Sequence, residues 1–231
     1  MPRIDKVLAL RGGYSRKIAG SMIRQGRVQV DGEVFRKRSE HCSEDCHLTV
    51  DGYEIPKVNP ILVFHKPAGV LTAMADSWDR PCVGDIVPPR YHIIGRLDQE
   101  TRGLLLLGMD GKLTQRLLHP KRAVEREYIA VVDGEPDAGL IEKVASGVST
   151  SVGLAKGEIL SIEENRVRLI MREGRNRIVR RMLHNAGFSV LDLFRLRFGP
   201  FALHELEEGR VRPALPTEIH HLQQEEKTQC R

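Results

Sequence analysis

The run of four leucines at residues 104–107 restricts how this chain can fold more than any other feature of the sequence. An uninterrupted apolar run of this length predicts a strand that is buried on both faces. Residues 91–94, just upstream, also have the composition of a strand. The segment between them, residues 95–103, reads Gly-Arg-Leu-Asp-Gln-Glu-Thr-Arg-Gly and is polar. The pattern therefore predicts a polar loop that is held between two core strands.

Asp98 lies in the middle of this loop, with Arg96 and Arg102 on either side. Two nearby cations would keep a carboxylate ionised and oriented. A polar loop between rigid strands is also a suitable place for a catalytic group. The alternative is an ordinary tight turn, in which Asp98 accepts a backbone hydrogen bond and both arginines are solvated. The spacing alone leaves both interpretations open.

The order Gly-Arg-Leu-Asp-x-x-Thr-x-Gly, followed by leucines, resembles the active-site signature of RNA pseudouridine synthases of the RsuA/RluB/RluE/RluF family. In that family the residue that matches Asp98 is catalytic. The reaction breaks the glycosidic bond of a uridine and rejoins the ring through carbon, with no redox change. The resemblance therefore implies an isomerase that uses Asp98 and needs no cofactor and no metal.

Positive charge is concentrated near the N-terminus. Residues 1–40 contain ten Lys or Arg and four Asp or Glu, an excess of six, whereas the whole chain has a net charge of +5. A small basic module of this kind favours contact with a phosphate backbone. A solvated basic face without a partner is the alternative.

Two short helices followed by small strands are predicted in this basic region. Apolar residues at 4, 7 and 8 share one face of the first helix. Ser15 is a good N-cap for the second helix, whose apolar face has residues 18, 19, 22 and 23. Asp-Gly pairs at 31–32 and 51–52 mark hairpin turns between the strands. Together with Ser15-Arg16 and Gly26-Arg27-Val28, this order resembles the S4 RNA-binding domain. The candidate phosphate contacts are Arg16, Lys17, Arg24 and Arg27.

A proline-flanked segment at residues 56–60 predicts a linker. The sequence is thus expected to form two domains, an S4-like RNA-binding domain at 1–57 and a pseudouridine synthase catalytic domain at 58–231. The expected fold class is α+β. It combines a small N-terminal α/β module with a larger mixed domain, whose mainly antiparallel sheet is flanked by helices.

Tyr128 lies in a predicted strand at residues 124–132. It is either an ordinary strand aromatic or, as the family resemblance implies, the residue that stacks on the target base. Family members usually have Lys two positions before this tyrosine, and Arg126 keeps that charge with a different shape. A uridine within folded RNA would have to be flipped out of its stack to reach such a pocket.

Residues 172–181 contain five arginines and resemble the family motif Glu-Gly-Arg-Asn-x-x-(Val/Ile)-Arg-Arg-Met, which opens a helix. Helix N-termini and guanidinium groups both favour anions. The resemblance implies that Arg180 pairs with the catalytic aspartate and that Arg175 contacts the RNA backbone. Arg96, in the loop of Asp98, is a further candidate for RNA binding. Ile178 stands where the family usually has Gln. Arginines this dense repel one another unless an anion lies among them.

Other features of the sequence concern the location of the protein, a possible zinc site and the single tryptophan. No apolar run has membrane-spanning length, and the first residues lack the apolar core of a signal peptide, so a cytoplasmic protein is expected. A monomer is expected, because the sequence leaves no amphipathic element that needs a partner. Cys42 and Cys46, each beside a histidine, have too loose a spacing for a zinc site. Trp78, the single tryptophan, lies in a polar loop and is expected either to contact RNA or to cover the core as a half-buried aromatic.

The expected substrate is ribosomal RNA, either free or within an assembling subunit. The layout of one S4-like module and one catalytic domain most resembles the family members that act on 16S RNA, with 23S RNA as the alternative. Two other classes compete with this prediction. One is a non-catalytic ribosome-associated RNA-binding protein, and the other is a hydrolase that pairs Asp98 with Glu100.

Overall fold

A computed structural model describes residues 1–12, 14–55 and 60–229, the last seven by their backbone alone. The chain divides into two compact units, Met1–Pro60 and Ile61–Arg231. The predicted linker lies mostly at residues 56–59, outside the described residues, so the predicted boundary between 57 and 58 stays a prediction. None of the helices in the described ranges is long and apolar enough to cross a membrane.

The first unit packs two helices on a four-stranded antiparallel sheet. Ser15 caps the second helix as predicted, by accepting a hydrogen bond from the backbone of Ile18. Ile18 was predicted to lie on the apolar face of this helix, but its side chain is half exposed. The elements are α1 (Ile4–Gly12), α2 (Arg16–Arg24), β1 (Val28–Val30), β2 (Glu33–Phe35), β3 (Leu48–Val50) and β4 (Tyr53–Glu54), with sheet order β2-β1-β3-β4. Cys42 and Cys46 are buried in its core.

The second unit is built on a nine-stranded sheet with helices packed against it. Its strands are β5 (Ile61–Lys66), β6 (His92–Ile94), β7 (Arg102–Gly108), β8 (Arg126–Val132), β11 (Glu158–Glu163), β12 (Arg166–Met171), β13 (Val190–Phe198), β14 (Phe201–Ala202) and β15 (Val211–Pro213). Its helices are α3 (Gly111–Leu118), α4 (Ala138–Ser146), α5 (Ile178–Ala186) and α6 (Pro216–Gln229). A separate hairpin, β9 (Val148–Thr150) with β10 (Gly153–Ala155), was not predicted from the sequence.

The main path of the sheet runs β11-β12-β8-β13-β7-β5-β15. Every pairing is antiparallel except that between β7 and β13, which is parallel and joins the two halves of the sheet. Gly103 of β7 lies opposite Arg195 of β13 at this junction. The catalytic-loop candidate, which leads into β7, is therefore placed at the centre of the sheet.

Strand β7 confirms the prediction of a leucine strand buried on both faces. Leu104 and Leu106 belong to one apolar cluster, and Leu105 and Leu107 belong to another, on the opposite face of the sheet. All four leucines are fully buried. Each contributes roughly 1.5–3 kcal/mol by leaving water, so β7 is a rigid support for the loop before it.

The sequence also predicts two helices of this unit, one that begins at Asp110-Gly111 and one at residues 137–145 with Leu140, Ile141 and Val144 facing inward. The structure has a helix at each place. Asp110 caps α3, and Asp137 caps α4, each through its side chain. Leu140 and Val144 of α4 face the core as predicted. Ile141, which was expected to face inward with them, is 41% exposed, because it lies on the solvent side of the helix.

Candidate active site

The loop that carries Asp98 connects β6 to β7 and is fixed from one side by residues 69–72. The Thr72 hydroxyl donates to the carbonyl of Leu97 at 2.5 Å. The same hydroxyl oxygen accepts a hydrogen bond from the backbone N–H of Leu97 at 3.3 Å. The N–H of Gly69 donates to the Gln99 carbonyl at 2.8 Å. Asp98 therefore stands between two residues whose backbones are anchored.

Lys66, at the end of β5, holds the same loop from beneath. Its ammonium group is fully buried and donates to the carbonyls of Pro67 and Gln99, at 2.7 and 3.2 Å. Burial lowers the pKa of Lys66 to about 8, although the charges of Glu100 and Asp98 act in the opposite direction. A Lys-Pro pair gives no local sign of a buried cation, so this role of Lys66 could not be predicted from the sequence.

The lowered pKa of Lys66 makes stability depend on pH. Between about pH 8, where folded Lys66 loses its proton, and pH 10.5, the usual value, the unfolded chain binds more protons than the folded chain. Stability contributed by this group must therefore rise with pH across that window. We expect the unfolding free energy of the wild type, relative to Lys66→Met, to increase by on the order of 1–3 kcal/mol from pH 7 to pH 10. Urea titrations of both proteins measure this difference, and a flat difference would show that folded Lys66 keeps its proton.

Asp98 faces the N-terminus of α5. The nearest ion pair of its carboxylate is with Arg177, at 4.0 Å from Nη1, and Glu100 pairs with the same guanidinium more closely. Burial tends to raise the pKa of Glu100, but hydrogen bonds from its own backbone and from Arg177 lower it overall. The guanidinium of Arg177 thus lies between two carboxylates, those of Asp98 and Glu100, and pairs with both.

Arg180 lies close to this cluster without an ion pair to Asp98. Its Nη2 is 3.4 Å from the Thr101 hydroxyl, its Nη1 donates to the Val190 carbonyl at 3.0 Å, and its Nε is 3.8 Å from a Glu100 oxygen. Burial lowers the pKa of Arg180, while Glu100 and, more weakly, Asp98 raise it. The predicted pairing of Arg180 with Asp98 stays a prediction, and Arg177, which was not predicted to lie near Asp98, is the cation that pairs with it.

The arginine-rich segment does precede a helix, as its motif predicted. Arg177 is the N-cap of α5 and has a left-handed backbone, with φ of 52°, which is uncommon for a residue with a side chain. The anions among these arginines are the protein's own carboxylates. Arg172 pairs with Glu125 and Glu158, at 2.8 and 3.0 Å.

Arg175, the predicted contact to the RNA backbone, is used inside the protein. Its guanidinium pairs with Glu173 and donates to the carbonyls of Val152 and Leu154, the latter at 2.6 Å. These bonds tie the β9–β10 hairpin to the start of α5. Its role toward RNA stays a prediction, since these donors already have partners.

A cavity of about 700 Å³ opens between the loop, β8 and the start of α5. Asp98 and Tyr128 both line it, so the structure brings together two residues that are 30 positions apart in the chain. Tyr128 is nearly buried and lies opposite Arg195 in the sheet. Arg96, which is exposed, and Arg175 also line the cavity, whereas Arg180 is not one of its lining residues.

Four further arginines line this cavity, and two of them, Arg126 and Arg195, belong to strands of the sheet. Arg126 was noted only as a replacement for the family's lysine, and Arg195 was missed. Both are buried. The one available signal for Arg195 was an arginine at an inward position of the alternating strand at residues 190–198.

Among the candidate phosphate contacts of the first unit, two are paired with carboxylates. Arg16 lies 3.2 Å from the buried carboxylate of Asp5, and Arg27 lies 2.5 Å from that of Asp51. The side chains of Lys17 and Arg24 are exposed. All four remain predicted RNA contacts.

Trp78 contradicts one expectation. Its side chain is 79% exposed, so the prediction of a half-buried aromatic over the core is wrong. The loop around it is held by Asp76, whose carboxylate accepts from the backbone of Trp78 and from Arg80. These local bonds support the loop without drawing the indole inward.

Comparisons with known proteins agree with this arrangement. The family described as RNA pseudouridylate synthase matches residues 60–185, and the S4 domain family matches residues 2–45. Within the described ranges, no group of three His, Cys, Asp or Glu side chains is placed to hold a metal ion.

Two curated relatives extend over nearly the whole chain. An uncharacterized RNA pseudouridine synthase of Mycobacterium leprae (strain TN) is 37% identical, over 96% of this chain and 93% of its own length. Ribosomal large subunit pseudouridine synthase B of Bacillus subtilis (strain 168) is 34% identical, over 96% of both chains.

Among solved structures, the crystal structure of a pseudouridylate synthase matches with a TM-score of 0.66 at 27% identity. The match covers 96% of this chain and all of the other. The mainly antiparallel catalytic unit and the basic N-terminal module are both consistent with it. The chain belongs to the RNA pseudouridine synthases of the RsuA family and carries an S4 domain at its N-terminus.

Proposed function

We propose that this chain converts a uridine of ribosomal RNA to pseudouridine, with Asp98 as the catalytic carboxylate and Tyr128 as the residue that stacks on the base. One observation carries the proposal, namely that Asp98 and Tyr128 line the same cavity. Its volume of about 700 Å³ lies within the range of about 300–1,000 Å³ that is usual for ligand sites, so a nucleoside fits there.

Binding requires the uridine to leave its stack. Extruding a base costs a few kcal/mol, and stacking on one aromatic ring returns about 1–3 kcal/mol. Tyr128 alone therefore barely offsets extrusion. Contacts between the RNA backbone and basic residues must supply the remainder, and arginines at the mouth and in the walls of the cavity are available for this.

In this proposal, two arginines interact with the carboxylate of Asp98. Arg177 lies 4.0 Å from the Asp98 carboxylate, which lines the cavity, and its positive charge attracts that carboxylate. Arg180 is the second cation, and its buried Nε lacks a hydrogen-bond partner among the described residues. We infer that Arg180 turns toward Asp98 when substrate enters, which is the pairing that the family resemblance implies.

For the target we favour RNA of the large ribosomal subunit. The sequence layout predicted 16S RNA, with 23S RNA as the alternative. The relative from Bacillus subtilis, which matches over 96% of this chain, is named as a large-subunit enzyme, and this supports the alternative. Family membership also disfavours both the non-catalytic and the hydrolase interpretations.

Mapping of pseudouridines decides the target. We expect ribosomal RNA from cells that lack this protein to miss one or a few pseudouridines in 23S RNA, and a plasmid copy to restore them. A plasmid that encodes the Asp98→Asn variant is the matched control and should not restore the missing pseudouridines. A missing site in 16S RNA would return the assignment to the first prediction, and unchanged RNA would contradict a ribosomal target.

A further inference from the structure

Arg126 and Arg195 differ from the other arginines around the cavity. They are 7% and 2% exposed, and the carbon centres of their guanidinium groups lie 4.5 and 5.2 Å from the centroid of the Phe198 ring. Neither makes an ion pair within the part of the chain that the structure describes, whereas Arg172, Arg175 and Arg177 all do.

The hydrogen bonds of the pair are incomplete. Arg126 donates to the carbonyl of Val124 at 2.9 Å, and Arg195 Nε donates to the carbonyl of Leu104 at 2.8 Å. The Nη2 of Arg195 is buried and has no hydrogen-bond partner among the described residues. A buried donor without a partner is costly, and a buried cation without an anion is more so.

Repulsion between the guanidinium groups of Arg126 and Arg195 adds to this cost. Burial lowers the pKa of Arg126, and the positive charge of Arg195 lowers it further, while the attraction of Tyr128 and of Glu173 acts against both. Glu173 itself is bound by Arg175. Two like charges that share one aromatic ring inside a cavity wall are therefore arranged for an anion that enters from outside.

We propose that Arg126 and Arg195 together bind one phosphate of the RNA backbone, the phosphate that adjoins the uridine held against Tyr128. This inference rests on the proposed function. The location favours it, because Arg126 is two residues before Tyr128 on β8, and Arg195 lies directly opposite Tyr128 on β13. Guanidinium groups donate in a fork that matches phosphate oxygens. A neutral uracil ring would leave both charges unpaired.

Competition between nucleosides and nucleotides tests this site. Uridine, uridine 5′-monophosphate and uridine 3′-monophosphate are compared as inhibitors of pseudouridine formation in an RNA substrate. For the wild type we expect one of the two monophosphates to bind about ten-fold or more tightly than uridine. In Arg195→Met and Arg126→Met this advantage should fall to about two-fold or less, whereas Arg126→Lys should keep most of it.

Uridine supplies the internal control, since a variant that misfolds loses its affinity for uridine as well. Arg166→Met is the control for net charge. Arg166 is exposed and lies opposite Val131, at the far end of the β8–β12 pair from Arg126. This variant should keep the full advantage of the monophosphate.

Three results would overturn the phosphate site. One is a wild type that binds both monophosphates no better than uridine, and another is an unchanged ratio in both methionine variants. The third is a loss of kcat alone at an unchanged ratio, which would place the pair on the reacting ring instead. Failure of the proposed function is separate, because it would appear as absence of pseudouridine in the wild-type assay.

Discussion

Asp98→Asn is expected to stop pseudouridine formation while RNA binding continues. The substitution keeps the size and shape of the side chain but removes its charge and its ability to act as a base or nucleophile. We expect the rate of product formation to fall on the order of 10³-fold or more. A single-turnover assay with ribosomal RNA fragments measures the rate, and filter binding measures the affinity, which should stay within about two-fold.

The variant should fold normally, because Asp98 is partly exposed and its loop is fixed by the backbones of Leu97 and Gln99. Glu100→Gln is the informative comparison. It removes a carboxylate that pairs with the same Arg177, and it should slow the reaction without stopping it. Equal and complete losses in both variants would instead favour a mechanism with two carboxylates. Wild-type activity in Asp98→Asn would contradict the proposed role.

Gly103→Ala is expected to destabilise the catalytic unit more than any exposed substitution would. Gly103 has φ of +110°, a conformation that side chains disfavour, and it lies where β7 runs parallel to β13. A Cβ atom there would lie 2.4 Å from the Arg195 carbonyl oxygen and 2.6 Å from its nitrogen. Backbone atoms in a buried sheet cannot move aside cheaply, so we expect a loss of about 3–5 kcal/mol.

Gly187→Ala provides the matched control. Gly187 has φ of +111°, but a Cβ atom there would meet nothing within 4 Å. Its substitution should therefore show the backbone strain alone, about 1 kcal/mol. Urea unfolding of both variants separates strain from collision. Similar losses would mean that β7 and β13 can move apart at this junction.

Much of the architecture followed from patterns of neighbouring residues. The leucine run predicted a strand buried on both faces, and Ser15, Asp110 and Asp137 marked the starts of three helices. These signals are reliable because capping and hydrophobic alternation depend on residues within one turn or strand. The loop of Asp98 was recognised for the same reason, since its motif is contiguous.

The wrong predictions concern side chains whose burial could not be read from the local sequence pattern. Ile18 and Ile141 each continue an apolar helical face, yet both lie at its edge and are exposed. Trp78 has the size of a core residue, but its loop is supported by Asp76 and no apolar surface covers the indole. Burial depends on which elements pack nearby, and residue type does not report this.

Contacts around Asp98 depended on the way distant segments meet. The family motif implied Arg180 as the partner of Asp98. In the structure, Arg177, which has a left-handed backbone, forms the ion pair with Asp98. Lys66 and Arg195 reach the site from β5 and β13, and their strands adjoin β7 only after the sheet has assembled. Sequence patterns thus identified the chemical groups and the local elements of this protein. The pairing of charges was set by sheet register, because electrostatic partners are chosen by distance in space and not along the chain.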